Sequence, residues 1–315
     1  MALSRDDLAR LQRLRDLFLD DHRGEVALGD YWRDDDDLAA YDRVLGARIG
    51  WKWRAALEEC HARGFARADG QLVLDYGCGS GIAARAFVAR FGAGEVRCHD
   101  RAPRAAAFAA AALRRAHPGL VAGAQGSVAE LRPDVLLVSH VLGELDPSGV
   151  QQLQALVRRS RRVLLVEPGN RRVARALSTL RDGVLDAFTV LAPCPHQASC
   201  PALQRADDWC HFFAAPPPEV FTDGDWARVT KALGIDQRAL PYAFLCLVAK
   251  DALAPPAARG DRIVGRPFVH PHTVSLQVCR ADALHAVELQ KRADPQLWRT
   301  LKKAPETVRE LRPGG

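Results

Sequence analysis

The stretch "LVLDYGCGSGIAARAF", residues 72–87, constrains the fold of this 315-residue chain more than any other. An apolar run ends in an acid, glycines follow, and an apolar-periodic segment comes next: a strand, a tight turn and a helix. Asp75, Gly77, Gly79 and Gly81 form D-x-G-x-G-x-G. Glycines let the backbone turn sharply and let a ligand approach it, and the start of the helix offers free N–H groups. Dinucleotide sites use G-x-G-x-x-G, but Ile82 stands where that motif wants its third glycine. The same alternation continues on both sides. "QLVLDY", "EVRCHD", a weak strand near 121–127, "DVLLVSH", "RVLLVEP" and a later "YAFLCLVAK" read as strands, with helices over 80–91 and 103–116 between them. Uncharged strand centres alternating with helices predict an α/β fold, a parallel sheet covered on both faces.

The glycine spacing resembles motif I of class I S-adenosylmethionine-dependent methyltransferases. That resemblance implies a Rossmann-like fold with a mostly parallel, doubly wound sheet, and cofactor contacts at Asp75, Gly77, Gly79 and Gly81. Asp100 closes the second strand, where the family places an acid on the ribose hydroxyls, and a carboxylate can accept two such hydrogen bonds. After strand four, methyltransferases acting on base amines often carry Asn/Asp-Pro-Pro-aromatic. This chain reads "SHVLGELD" over 139–146. Ser139, His140 and Glu144 could contact cofactor or substrate. Pro193-Cys194 is similar to the Pro-Cys nucleophile of cytosine-C5 methyltransferases, yet it lies inside a cysteine cluster, where a ligand role fits better. No catalytic residue is identifiable.

Three regions follow from the pattern. Residues 1–70 read as helices, with "DDDD" at 34–37 placed to cap the second one. Residues 71–251 form the methyltransferase-like domain. The linker "DALAPPAARG" leads to residues 252–315, where "DRIVGRPFVHPHTVSLQVCR" reads as a β-hairpin and "ADALHAVELQKR" as a helix. No apolar run reaches the roughly 18–20 residues of a membrane helix, and the start of the chain lacks the core of a signal peptide. A cytoplasmic monomer without membrane contact is expected, and the Ala- and Arg-heavy composition suggests a GC-rich genome. Residues 71–315 hold 32 basic against 23 acidic side chains. The densest cluster carries Arg158, Arg159, Arg161, Arg162, Arg171, Arg172, Arg175 and Arg181, which suits either a solvated face or a nucleic-acid surface.

Eight cysteines in a reducing compartment favour metal or catalytic use over disulfides. Cys60, Cys78, Cys98 and Cys246 lie in strand-like or helical context and read as small buried hydrophobes. The others concentrate in "APCPHQASCPALQRADDWCHFF", residues 192–213, which holds Cys194, Cys200 and Cys210; Cys279 follows 69 residues later. Four thiolates suit a [4Fe–4S] cluster or a structural zinc. Wide, irregular spacing favours iron–sulfur, while His196 and His211 leave mixed zinc ligation open.

"APCPH", "CP" and "WCHFF", downstream of the glycine loop and followed by a cysteine-bearing tail, resemble the Rsm-type small-ribosomal-subunit methyltransferase-like family, from about Tyr41 to Cys279. The resemblance implies a [4Fe–4S] cluster on Cys194, Cys200, Cys210 and Cys279, S-adenosylmethionine in the glycine loop, and contact with small-subunit rRNA or an assembly intermediate of that subunit. It leaves open whether methyl transfer occurs. The alternative reading is a methyltransferase of a small molecule or protein with a structural zinc.

Overall fold

Short runs of Val and Leu, apolar on both faces, build the centre of the molecule. The computed structural model describes residues 3–19, 31–67, 70–252 and 260–311. Helix α1 (Arg5–Leu19) comes first, and α2 (Asp35–Tyr41) continues through a π turn at Asp42–Gly46 into α3 (Ala47–Ala62). The acidic run caps α2 as expected. The Asp34 carboxylate accepts the Asp37 N–H at 2.9 Å, pairing an amide that the first helical turn would leave orphaned.

Next come β1 (Leu72–Tyr76), α4 (Ile82–Phe91), β2 (Glu95–His99), α5 (Pro103–Ala116), β3 (Val121–Ala124), β4 (Val135–Ser139), α6 (Pro147–Arg159), β5 (Arg162–Pro168), α7 (Arg171–Asp182) and β6 (Phe188–Ala192). After a long excursion follow β7 (Phe212–Ala214), α8 (Glu219–Thr222), α9 (Gly224–Leu233) and β8 (Leu240–Ala249). The sheet order is β3-β2-β1-β4-β5-β8-β6, with β7 also paired to β8. The first five strands are mutually parallel, and β8 runs antiparallel to each of its neighbours. This is the mostly parallel, doubly wound fold of class I methyltransferases that the sequence predicted.

Strands β4 and β5 form the spine of the core. Leu136, Leu137, Val138, Val163 and Leu165 are 0% exposed, and each such side chain stabilises the fold by about 1.5–3 kcal/mol. Leu137→Ala would leave a cavity and cost about 2–5 kcal/mol. Cys60, Cys78, Cys98 and Cys246 are buried in the same interior.

The far edge of β8 is divided between two partners. Its end at Cys246–Ala249 pairs with β6, and its start at Leu240–Tyr242 pairs with β7. The chain leaves the sheet after Ala192 and returns at Phe212, so residues 193–211 hang beside one short stretch of β8. That excursion carries three of the clustered cysteines.

The remaining chain forms β9 (Asp261–Val269), β10 (Thr273–Cys279), β11 (Leu284–Gln290), α10 (Pro295–Lys303) and β12 (Glu310–Leu311). The four strands make an antiparallel sheet in the order β11-β10-β9-β12. The expected hairpin is β9–β10, whereas the helix expected over 281–292 is instead strand β11. Leu284 and Val287, three apart, mimic a helical face. In the fold, Val287 and Leu289 turn to the small core while Ala286, Glu288 and Gln290 are exposed. That two-residue period belongs to a strand, and pairing with β10 selects it. The helix of this region lies later, in α10. Most of the expected linker, residues 253–259, lies outside the described residues. No helix among the described residues is long and apolar enough to cross a membrane.

Candidate functional site

Strand β1 delivers Asp75 to the carboxyl edge of the sheet, fully buried. One carboxylate oxygen accepts the Ala84 N–H at 3.2 Å, and the other has no partner. Burial pushes Asp75 up to about 7, against the pull of that N–H. The turn that follows holds Gly77, Gly79 and Gly81 at φ +68°, +51° and +80°, a region that side chains rarely adopt. A Cβ on Gly77 would come within 2.2 Å of Val141, and one on Gly81 within 2.8 Å of Ala109; one on Gly79 would meet nothing within 4 Å. Two glycines thus seal the turn against the protein, and the middle one opens onto free space where a ligand can lie.

Asp100, just after β2, clasps that middle glycine. Its carboxylate accepts the Gly79 N–H at 2.9 Å and the Ala102 N–H at 3.0 Å. Burial raises Asp100 while these two bonds lower it, and each oxygen keeps acceptor capacity for a further donor. Asp75, Gly77, Gly79, Gly81 and Asp100 therefore meet at the carboxyl ends of β1 and β2, the edge where open α/β sheets bind ligands.

A second polar group lies along this edge, at the ends of β4 and β5. Ser139 accepts the Trp53 indole N–H at 2.8 Å. His140 has φ +58°, uncommon for a residue with a side chain and a form of strain that concentrates at functional sites. Its Nε2 lies 3.4 Å from Lys52 Nζ, and its Nδ1 is buried without a partner. Glu167 is fully buried; one oxygen accepts the N–H groups of Val141 and Leu142 at 3.1 and 3.2 Å, and the other has no partner. Burial, then the Arg48 charge, pushes Lys52 down to about 7, with Glu167 opposing. Burial pushes Glu167 up to about 8, and burial with the Lys52 charge holds His140 well below its ordinary value. A lysine that gives up its proton near neutrality can act as a proton acceptor. Glu144 lies close enough for its charge to raise Glu167 further. Lys52 and Glu167 escaped the sequence reading. The signal was present: each is a lone charge in an apolar run, "WKW" and "LLVEP".

The cysteine cluster lies elsewhere, where the excursion meets β10. Cys194, Cys200, Cys210 and Cys279 line one cavity of about 10 Å³ with His196 and Arg262. Arg181 Nε donates to Cys194 Sγ at 3.3 Å, Cys279 Sγ lies 3.6 Å from His196 Nε2, and the Cys200 N–H donates to Asp182 at 2.9 Å. Burial, and then the neighbouring cysteines, push Cys210 and Cys279 well up. Among the described residues no three His, Cys, Asp or Glu side chains are arranged to hold a metal ion, so the thiols ring the cavity without meeting at one point. His196 joins this wall. His211 faces the other way, stacked on Trp209.

The arginine cluster mostly braces the fold. Arg158 grips Asp186 at 2.9 and 3.0 Å, and Arg171 pairs with Asp207 at 2.6 Å. Arg172 donates to the Gly143 carbonyl at 2.9 Å. Arg175 holds the cysteine excursion, donating to the carbonyls of Ala202, Arg205 and Asp208 at 2.7–2.8 Å. Several of these arginines thus brace neighbouring turns, while Arg158, Arg161, Arg171 and Arg172 stay exposed.

The family model described as mitochondrial small ribosomal subunit Rsm22 matches residues 54–305. No curated protein matches the chain. Among solved structures, the plantazolicin methyltransferase BamL, in complex with a triazolic desmethylPZN analog and SAH, is 14% identical with a TM-score of 0.41, covering 78% of this chain and 97% of that one. Precorrin-6y C5,15-methyltransferase from Geobacter metallireducens GS-15 is 13% identical with a TM-score of 0.37, covering 62% and 86%. Ribosomal protein L11 methylase from Lactobacillus delbrueckii subsp. bulgaricus is 19% identical with a TM-score of 0.32, covering 43% and 68%.

Proposed function

The chain belongs to the mitochondrial small ribosomal subunit Rsm22 family, and from that premise we propose that it is an S-adenosylmethionine-binding, iron–sulfur protein acting on small-subunit rRNA or an assembling small subunit. One observation carries the reading: four thiols, three from the 193–211 excursion and one from β10, line a single cavity, apart from the glycine loop. The donor set fits an iron–sulfur cluster in number and in softness. Cys194, Cys200, Cys210 and Cys279 would each supply one thiolate to the cluster. Such a cluster would tie the 193–211 excursion to β10 and contribute to folding.

The glycine loop fits the cofactor by the open space over Gly79 and by the acceptor capacity of Asp100. When bound, S-adenosylmethionine would supply an electrophilic methyl group on a positively charged sulfonium sulfur, able to accept the carbon–sulfur electrons as the methyl leaves. Lys52, beside His140, would take the proton that an amine acceptor sheds on methylation. Glu167, kept protonated by burial, would hold the Val141–Leu142 turn without adding negative charge to the edge.

Colour tests the metal assignment. Protein purified anaerobically should absorb broadly near ~400 nm and carry iron and acid-labile sulfide. A colourless chain holding zinc would favour the small-molecule or protein methyltransferase reading. Crosslinking in cells should recover small-subunit rRNA, and its absence from the crosslinked RNA would reject the partner.

A further inference from the structure

The extended segment that carries Cys210 and leads into β7 has a different chemistry on its other face. Alternate residues of an extended chain point to opposite sides. Phe212 and Ala214 are buried, and Cys210, of the same parity, lines the cysteine cavity. Trp209, His211 and Phe213 share the other side and are half-buried, Trp209 packing in part against the main core. The Trp209 and His211 rings stack 4.8 Å apart at 14°, and Phe213 follows edge-on to His211 at 5.6 Å.

Strand β9 extends the row. Gly265, at φ +73°, lies against the His211 ring, where a Cβ would come within 3.2 Å of it. The Arg266 guanidinium sits 4.6 Å over the Phe213 ring, and Phe268 is 71% exposed. At the opposite end the Trp209 indole N–H donates to the Gly169 carbonyl at 3.0 Å, two residues beyond Glu167. The row therefore runs from an exposed ring towards the carboxyl edge of the main sheet. The acids at its Trp209 end are offset: Asp207 pairs with Arg171 at 2.6 Å and Asp208 with Arg205 at 3.9 Å.

We propose that Trp209, His211, Phe213, Arg266 and Phe268 form a track on which unpaired bases of RNA stack, leading to the carboxyl edge of the sheet. The proposal rests on the RNA reading above and assigns its surface. Aromatic faces accept any base, and an arginine over a ring adds cation–π attraction within reach of the phosphates. Duplex RNA hides its base faces, so the track selects single strands. It also couples the two sides of one extended segment: Cys210 lines the cavity while its neighbours Trp209 and His211 carry the rings.

The test uses the full chain purified anaerobically, a short fluorescent oligouridylate, and an RNA duplex of equal length at one salt concentration. The parent should prefer the oligouridylate. Phe268→Ala and His211→Ala should each weaken that binding roughly tenfold, the scale of one lost base–ring contact, while Phe268→Tyr retains it. For Phe268→Ala, iron content, thermal midpoint and cofactor affinity should stay at the parent level. Its salt dependence should also be unchanged, because no phosphate contact is lost. Parent-like affinity in both alanine variants, or a parent that prefers duplex, overturns the track while leaving an RNA partner standing. A parent that binds neither RNA rejects the RNA reading itself, and the track with it.

Discussion

Glu59 on α3 and Arg262 on β9 stand 203 residues apart and meet in a buried two-pronged ion pair, Nη1 to Oε1 at 2.7 Å and Nη2 to Oε2 at 2.9 Å. Arg63 joins the same carboxylate at 3.0 Å and reaches Glu310 of β12 at 2.6 Å. Arg262 also lies 4.2 Å over the Phe212 ring and lines the cysteine cavity. One guanidinium thus fastens the small sheet to α3 and to the wall of the candidate cluster site.

Removing one partner of a buried pair strands the other charge, which typically costs about 3–5 kcal/mol. Glu59→Ala strands the buried Arg262 guanidinium, while Arg63 keeps Glu310, so denaturant unfolding should show a loss on that scale. A loss below about 1 kcal/mol would mean that the clamp is dispensable.

Cofactor affinity should depend on Asp100 and Gly79 in different ways. Asp100→Ala removes a charged acceptor and should weaken S-adenosylmethionine binding by about 1–3 kcal/mol, read by calorimetry. Gly79→Val should be worse, because the side chain fills the open face of the turn and φ +51° strains it. Unchanged affinity in Asp100→Ala would move the ribose contact elsewhere.

Cys210→Ser should lower iron content and the thermal midpoint by loosening the 193–211 excursion from β10. S-adenosylmethionine affinity should stay at the parent value, since the glycine loop shares no ligand with the cysteine cavity. If stability survives complete loss of the metal, the cluster has no structural role.

Stability should carry the signature of Glu167. Its folded pKa of about 8 lies above the ordinary 4.5, so between these values the folded chain holds a proton that the unfolded chain has released. That contribution is fully present below about pH 4.5 and is lost as pH rises towards 8, by at most about 1.4 kcal/mol per pH unit. Lys52 acts in the opposite sense only above about 7, where the unfolded chain binds the extra proton up to 10.5. Between roughly pH 5 and 7, Glu167→Gln should therefore lose stability less steeply than the parent, by urea titration across pH. Equal slopes would show that Glu167 is ionised in the fold.

Much of this protein is written locally in its chain. The strand–turn–helix at 72–87, the boundaries of β5 and α5, and the cap at Asp34 follow from neighbouring residues, since propensity, glycine conformation and capping act over a few positions. The cysteines could be grouped by chemistry alone. Position in three dimensions could not be read this way. Whether 281–292 is helix or strand depended on β10 lying alongside to accept its hydrogen bonds. The arginines of 158–181 suit either a solvated face or a nucleic-acid surface, and only the fold brings the carbonyls of the excursion and the acids of neighbouring turns within reach of Arg158, Arg171 and Arg175. Lys52 and Glu167, 115 positions apart in the sequence, became electrostatic neighbours only when α3 packed on the carboxyl edge of the sheet. Burial there, absent from any local pattern, moves their pKa values towards neutrality, because desolvation depends on everything packed around a charge and not on the residues beside it in the chain.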